Sequence, residues 1–276
     1  MRYCDQFGRN FWERHQRMKA IKDRLALHYY SVRKPYKNYL TGITPGAIPI
    51  FINNFNRLES LEVLIEWLNT LEQDIKIIVI DNHSTYPPLL EYYRSLEREG
   101  ILLIPLGGNY GTEKILPISC SLSHCPYFVV TDPDLVPYST TPRDVLEVMM
   151  NALREMPGIN HVGASLEIND IPSYFPGKQD VVDWEERYWQ KKIKKHLYLA
   201  DVATTFAMYR QNSQVRSTKP AVRLDRPYTL KHVDWYHDPA HLSEEYCHYL
   251  QTCNRSGTWA FHLKKNVAAA RHLSLT

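Results

Sequence analysis

Two aspartates one residue apart, Asp132 and Asp134, close the apolar run Tyr127-Phe-Val-Val-Thr131. Apolar runs of this length ended by turn residues read as buried strands. Pro133 biases Asp132 towards an extended backbone, and alternate side chains of an extended chain point the same way. Both carboxylates therefore project together from a strand end. Such a pair suits a hard divalent cation, Mg2+ or Mn2+, which in turn suits a diphosphate. Two earlier strand ends are polar as well. Ile48-Pro-Ile-Phe-Ile52 runs into Asn53-Asn54-Phe55-Asn56-Arg57, and Ile75-Lys-Ile-Ile-Val-Ile80 into Asp81-Asn82-His83-Ser84-Thr85. The carboxyl ends of parallel strands at a switch point share one crevice. Amides, a carboxylate, an arginine and the aspartate pair are thereby expected around one cleft.

The elements that must hold these residues alternate. Leu61, Leu64, Ile65, Leu68 and Leu71 mark one helical face after the first strand. A second helix is expected over Pro87–Glu99 with Leu89, Leu90, Tyr93 and Leu96 inward, then a strand over Ile101–Pro105 and a helix over Glu113–Ser123. Thr141-Pro142 reads as the N-cap and first residue of another helix. Strands separated by helices predict an α/β fold with a mostly parallel sheet covered on both faces. The second half is less regular: a strand over Ile159–Ile168, a charged helix over Asp180–Lys195, strands over Leu197–Tyr209, and a helix over Leu242–Cys253 with Ser243 at its start. The chain divides into residues 1–45 and a single domain over 46–276, with a nucleotide-binding half (46–137) and an acceptor half (138–276).

Composition sets bounds. At 276 residues, 44% apolar and 23% charged, the chain can bury a sizeable core. A net charge of +3 gives no ground for nucleic acid. The five cysteines show no C-x-x-C spacing and read as reduced thiols. No stretch approaches the ~20 apolar residues that span a bilayer, and the N-terminus lacks a signal-peptide core. The expected location is cytoplasmic. Residues 1–45 read as a basic amphipathic helix and a tyrosine-rich connector, suited to peripheral contact with a membrane or to a second subunit.

On these strand ends the chain resembles the nucleotide-sugar glycosyltransferases of the GT-A fold, close to glycosyltransferase family 2. That family carries "N-R" after its first strand, as in Asn56-Arg57. It carries "I-V-V-D-D-G-S-T" on the second, where this chain has Ile78-Val-Ile-Asp81-Asn82-His83-Ser84-Thr85, and "N-x-G" after the third, here Asn109-Tyr110-Gly111. The D-x-D follows at the expected distance. The resemblance covers residues 47–137. It implies a Rossmann-like mostly parallel sheet and a nucleoside-diphosphate-sugar donor, commonly uridine. Asn54, Arg57, Asp81, Asn82, Asn109, Gly111 and Asp132 would contact the nucleotide. Asp132 and Asp134 would hold Mn2+ or Mg2+, and Pro133 leaves open which of them touches it directly. His232 is the first choice for a late metal-binding histidine and His237 the second. Inverting transfer would need a carboxylate to take the acceptor's proton; Asp201 leads, with Asp234, Glu244 and Glu245 competing. Thr204 and Thr205 could meet acceptor hydroxyls, the acceptor being a glycan or lipid-linked saccharide. The chain departs from the family's pattern at Asn82-His83, where the family has Asp-Gly.

Two other readings compete. Asp132-Pro-Asp134-Leu-Val136 also fits the D-x-D-x-V of haloacid-dehalogenase-like phosphatases, whose first aspartate is a nucleophile. Those enzymes carry it on their first core strand, and here three strand–helix units precede it. The non-enzyme alternative is a module that binds a nucleotide sugar or glycan without turnover.

Overall fold

The computed structural model describes residues 46–202, 206–211, 220–253, 259, 260 and 263. The helix and connector expected over 1–45, and Thr204 and Thr205, lie outside them.

Four apolar runs form a parallel block, β1 (Ile48–Asn54), β2 (Ile75–Asp81), β3 (Leu102–Pro105) and β4 (Tyr127–Thr131). Their order in the sheet is β3-β2-β1-β4. Every residue of β1 is buried, as expected for a strand covered on both faces. The period of two splits its side chains: Ile50 and Ile52 join one apolar cluster and Phe51 joins the other. The first cluster is closed by α1 (Glu59–Leu68), α2 (Pro87–Arg98) and α4 (Val145–Glu155), the second by α3 (Ile115–Leu122).

The sheet continues through short strands. They are β6 (His161–Ala164), β7 (Lys192–Lys194), β8 (Leu197–Leu199), β9 (Ala207–Arg210) and β10 (Val222–Leu224). Together they extend the order to β3-β2-β1-β4-β9-β6-β10-β8-β7. Among the described strands only β8 and β9 run against the rest. The mostly parallel, helix-covered sheet expected from the sequence is therefore present. A separate two-stranded sheet pairs β5 (Leu135–Pro137) with β11 (Leu230–His232), antiparallel, with Leu135 opposite His232.

Several expectations need correction. The helix assigned to Thr141-Pro142 starts at Val145 instead, behind Asp144. The Thr141 hydroxyl accepts from Tyr138 N–H at 2.9 Å and donates to the Thr229 carbonyl at 3.2 Å, so it fixes a loop rather than a cap. The long helix over Asp180–Lys195 is three elements: α5 (Lys178–Glu185), a 3-10 turn (Glu186–Trp189) and edge strand β7. Lysines at a sheet edge are compatible with strand, so charge could not tell the two apart. The strand over Ile159–Ile168 shortens to β6, and Leu90 faces solvent. The C-terminal helix forms as expected, α6 (Glu244–Thr252), with the Ser243 hydroxyl accepting from Tyr246 N–H.

Candidate active site

Asp134 leads into β5, and β5 pairs with β11, whose last residue is His232. A further bond, from Val233 N–H to the Asp134 carbonyl at 2.8 Å, fixes the start of the 3-10 turn Val233–Tyr236. That turn carries Asp234. A ladder of three residue pairs thus brings Asp134, His232 and Asp234 together, with one ligand atom from each lying within 4.8 Å of the others. The His232 ring lies 4.9 Å from Trp235, at 12° and so stacked, which sets its orientation.

Arg57 enters from the loop after β1. Its guanidinium ion-pairs with the fully buried Asp234 and lies 3.6 Å from Asp134 Oδ2. Tyr249 and Tyr246 flank it at 4.5 and 4.8 Å from ring centroid to guanidinium carbon, favourable for a desolvated cation. Burial alone would lower the arginine's pKa, but Asp234 and Asp134 hold it above its usual value. Burial alone would raise Asp234, but Arg57 pulls it below the ordinary carboxylate range. Asp234 is therefore an ionised ion-pair partner. His237 packs 3.8 Å from the Tyr246 ring, and burial pushes its pKa down to about 4, so it is neutral.

Within this cluster Asp134 Oδ1, His232 Nδ1 and Arg57 Nη1 are buried without a hydrogen-bond partner among the described residues. Buried polar atoms are nearly always satisfied, and leaving one unmet costs about 1–3 kcal/mol. An unpartnered carboxylate oxygen on Asp134 and an unpartnered imidazole nitrogen on His232, beside the ionised Asp234, form a donor set that fits Mn2+ or Mg2+. The fit is to Asp134, His232 and Asp234, with Asp132 beside them in the D-x-D.

The polar strand ends make a chain of amides. Tyr110 N–H donates to Asn82 Oδ1 at 3.1 Å, Asn82 Nδ2 donates to Asn53 Oδ1, and Asn53 Nδ2 donates to Asp132 Oδ1 at 2.9 Å. Asn109 Oδ1 accepts from Gly111 N–H at 3.0 Å, in a turn where Gly111 takes φ +60°, a conformation natural to glycine. Asn54 Nδ2 donates to Tyr93 Oη at 2.7 Å, and the tyrosine hydroxyl donates to Asp81 Oδ1 at 3.0 Å. Ser84 N–H also donates to Asp81, making an Asx turn. His83, where the family has glycine, adopts φ 68°, so the turn keeps its left-handed shape in spite of the substitution. Asn56, at φ 51°, accepts from Thr85 N–H and Tyr86 N–H and donates to Thr252 Oγ1, tying two loops to the end of α6.

The acids nominated as base are scattered. Glu245 accepts from Glu59 N–H at 2.9 Å and so caps α1; burial raises its pKa. Asp201 lies beyond β8, whose Leu199 pairs with Val222 at the amino end of β10. That is the opposite end of the sheet from Asp132, and its carbonyl there accepts from Arg223 Nε at 2.7 Å. The structure does not bring Asp201 to the cluster, because β8 runs against its neighbours. Asn53 was expected at the cleft among the strand-end amides but without its role on Asp132, and Tyr93, Tyr246 and Tyr249 were not expected at the site. Two adjacent asparagines on β1 must face opposite ways, and that was the signal for Asn53.

A model of the family described as "Glycosyl transferase family 2" matches residues 50–214. The chain belongs to glycosyltransferase family 2. Three solved structures resemble this family 2 member at low identity. The mannosyltransferase PcManGT from Pyrobaculum calidifontis, in complex with GDP-Man and Mn2+, is 15% identical with a TM-score of 0.45, over 93% of this chain and 80% of that one. TarS 1-349 of S. aureus is 12% identical with a TM-score of 0.43, over 83% and 72%. Glucosyl-3-phosphoglycerate synthase from Mycobacterium tuberculosis, in complex with phosphoglyceric acid, is 12% identical with a TM-score of 0.40, over 64% and 60%. No curated protein matches the chain significantly. As a family 2 glycosyltransferase the chain is an enzyme, and the phosphatase reading of Asp132 is set aside.

Proposed function

We propose that this glycosyltransferase moves a sugar from a uridine-diphosphate donor to a hydroxyl of a glycan or lipid-linked saccharide, with inversion and with Mn2+ or Mg2+ required. The observation that carries the metal requirement is the cluster of Asp134, His232 and Asp234, in which Asp134 Oδ1 and His232 Nδ1 are buried with no hydrogen-bond partner among the described residues. A divalent cation held there supplies Lewis-acid stabilisation of the charge that develops on the departing nucleoside diphosphate. The chain's own residues do the rest. Asn53 donates to Asp132 Oδ1 and so helps to fix the carboxylate's orientation. Asp81, held by Tyr93 and Ser84, keeps acceptor capacity for a base N–H at the mouth of the nucleoside pocket. Asn82, Asn109 and Gly111 shape the adjoining turn. Arg57 screens Asp134 from Asp234, letting two carboxylates share one corner.

The test pairs a folded-state readout with an activity. Asp134→Ala should lose at least about a hundredfold in transfer, and should also lose the melting-temperature rise that UDP with Mn2+ gives the native chain. Retained transfer and retained coupling to Mn2+ in that variant would remove the metal role. A screen of nucleoside diphosphates by the same melting assay decides the base, and the anomeric configuration of the product, read by NMR, decides inversion.

A further inference from the structure

A second polar cluster sits on the same β5–β11 ribbon, one step outward from the metal corner. Tyr138 follows β5, and Tyr236 ends the turn that carries Asp234. The Tyr138 hydroxyl reaches both oxygens of Asp170, at 3.0 and 2.9 Å, and meets the Tyr236 hydroxyl at 3.1 Å. Tyr236 also donates to Asp170. Tyr174, 50% exposed, is pinned by its hydroxyl to the Tyr236 carbonyl at 3.1 Å. Lys231 comes from the middle of β11. Its ammonium lies 4.7 Å from the Tyr138 ring centre and 5.0 Å from that of Tyr236. No carboxylate among the described residues lies within ion-pair distance of it. Asp170 is reached by the hydroxyl ends of the rings whose faces hold Lys231.

The arrangement separates a cation from a carboxylate across two immobilised phenols. Tyr236 packs partly against the core, but Tyr174 is half exposed and pinning it there costs side-chain entropy. A ligand with hydroxyls and an anionic group would meet complementary chemistry: Asp170 and the phenol oxygens for the hydroxyls, the Tyr174 face for a sugar ring, and Lys231 for a phosphate or carboxylate. The ribbon's register places this cluster on the strands that lead out of Asp134 and into His232. We infer that Lys231, Tyr138, Tyr174, Tyr236 and Asp170 form the acceptor subsite, and that the acceptor is a saccharide carrying a phosphate. This rests on the family 2 transfer reading and specifies its acceptor.

The test uses the full chain, saturated with UDP and Mn2+, and a hexose phosphate beside the free hexose at constant ionic strength. The hexose phosphate should raise the melting temperature in a saturable way, at least about tenfold more tightly than the hexose. Lys231→Gln should lose that difference and Lys231→Arg should keep it, both with the native response to UDP and Mn2+. An unchanged hexose phosphate response in Lys231→Gln overturns the inference. So does a hexose phosphate response that is present without UDP and lost once UDP saturates the chain, which would make Lys231 part of the donor site. No response to hexose phosphate in a chain that does respond to UDP and Mn2+ overturns it while leaving the transfer reading intact; a chain that responds to neither loses both. A sugar diphosphate on a short isoprenyl chain, titrated in parallel, tells a lipid-borne phosphate from a soluble one by which binds more tightly.

Discussion

At the scale of residues, Arg57 and Asn53 are the side chains on which the cluster depends, and both act through others. Arg57 is buried between two aromatic rings and compensates Asp234. Removing one partner of a buried pair strands the other's charge, at a cost of about 3–5 kcal/mol. Arg57→Met should therefore lower stability by about that amount in urea denaturation, and Asp234→Asn should be milder because the arginine retains Asp134. Asn53 reaches Asp132 from a neighbouring strand. Partners that orient a metal-binding side chain typically matter by about 10–100-fold. Asn53→Ala should weaken Mn2+ binding within that range, read by calorimetry, while the fold is kept.

At the scale of elements, the strand–turn–helix units up to Pro137 were legible because each strand is a run of apolar residues and each helix has a clean periodic face. Asp132 and Asp134 stood out because a strand ended on them. Of the later strands, β6, β8 and β9 fall inside stretches read as strand, but their directions were not legible, and Lys192–Lys194 and Val222–Leu224 span three residues each, too few for a period of two to show. The misplacement of Asp201 follows from this, since its end of the sheet depends on β8 running antiparallel. His232 was found through the family's late histidine, but its pairing with Leu135 could not be read from a ribbon this short. Element-level chemistry also makes a pH prediction. His161 opens β6, stacks on Tyr209 at 4.8 Å, and is held by burial below the usual 6.5. Its unfolded form takes up a proton first as the pH falls. The stability contributed by the neutral ring is thus present above about 6.5 and lost below it. His161→Phe should flatten the fall in urea midpoint between pH 7.5 and 5.5.

At the scale of the molecule, β9 joins the halves. It pairs with β4 on one side and β6 on the other, both antiparallel, and Met208 is fully buried within it. One apolar cluster runs from Ile48 to Leu263 across that joint. The described residues of 46–137 and of 138–276 therefore share a sheet and a core. Met208→Ala should cost about 2–5 kcal/mol and leave unfolding a single transition, the same by circular dichroism and by tryptophan fluorescence. Two separate transitions would mean that the halves fold apart.

The amides spanning the strand ends have a polarity, since each nitrogen points towards Asp132. Replacing Asn82 by its isosteric acid would set oxygen against oxygen at Asn53. The nearest relief is a flip of that amide, which turns its own oxygen on Asp132 and repels it. An exchange of one atom type, with no change in volume, would travel like a row of dominoes from the second strand to the fourth.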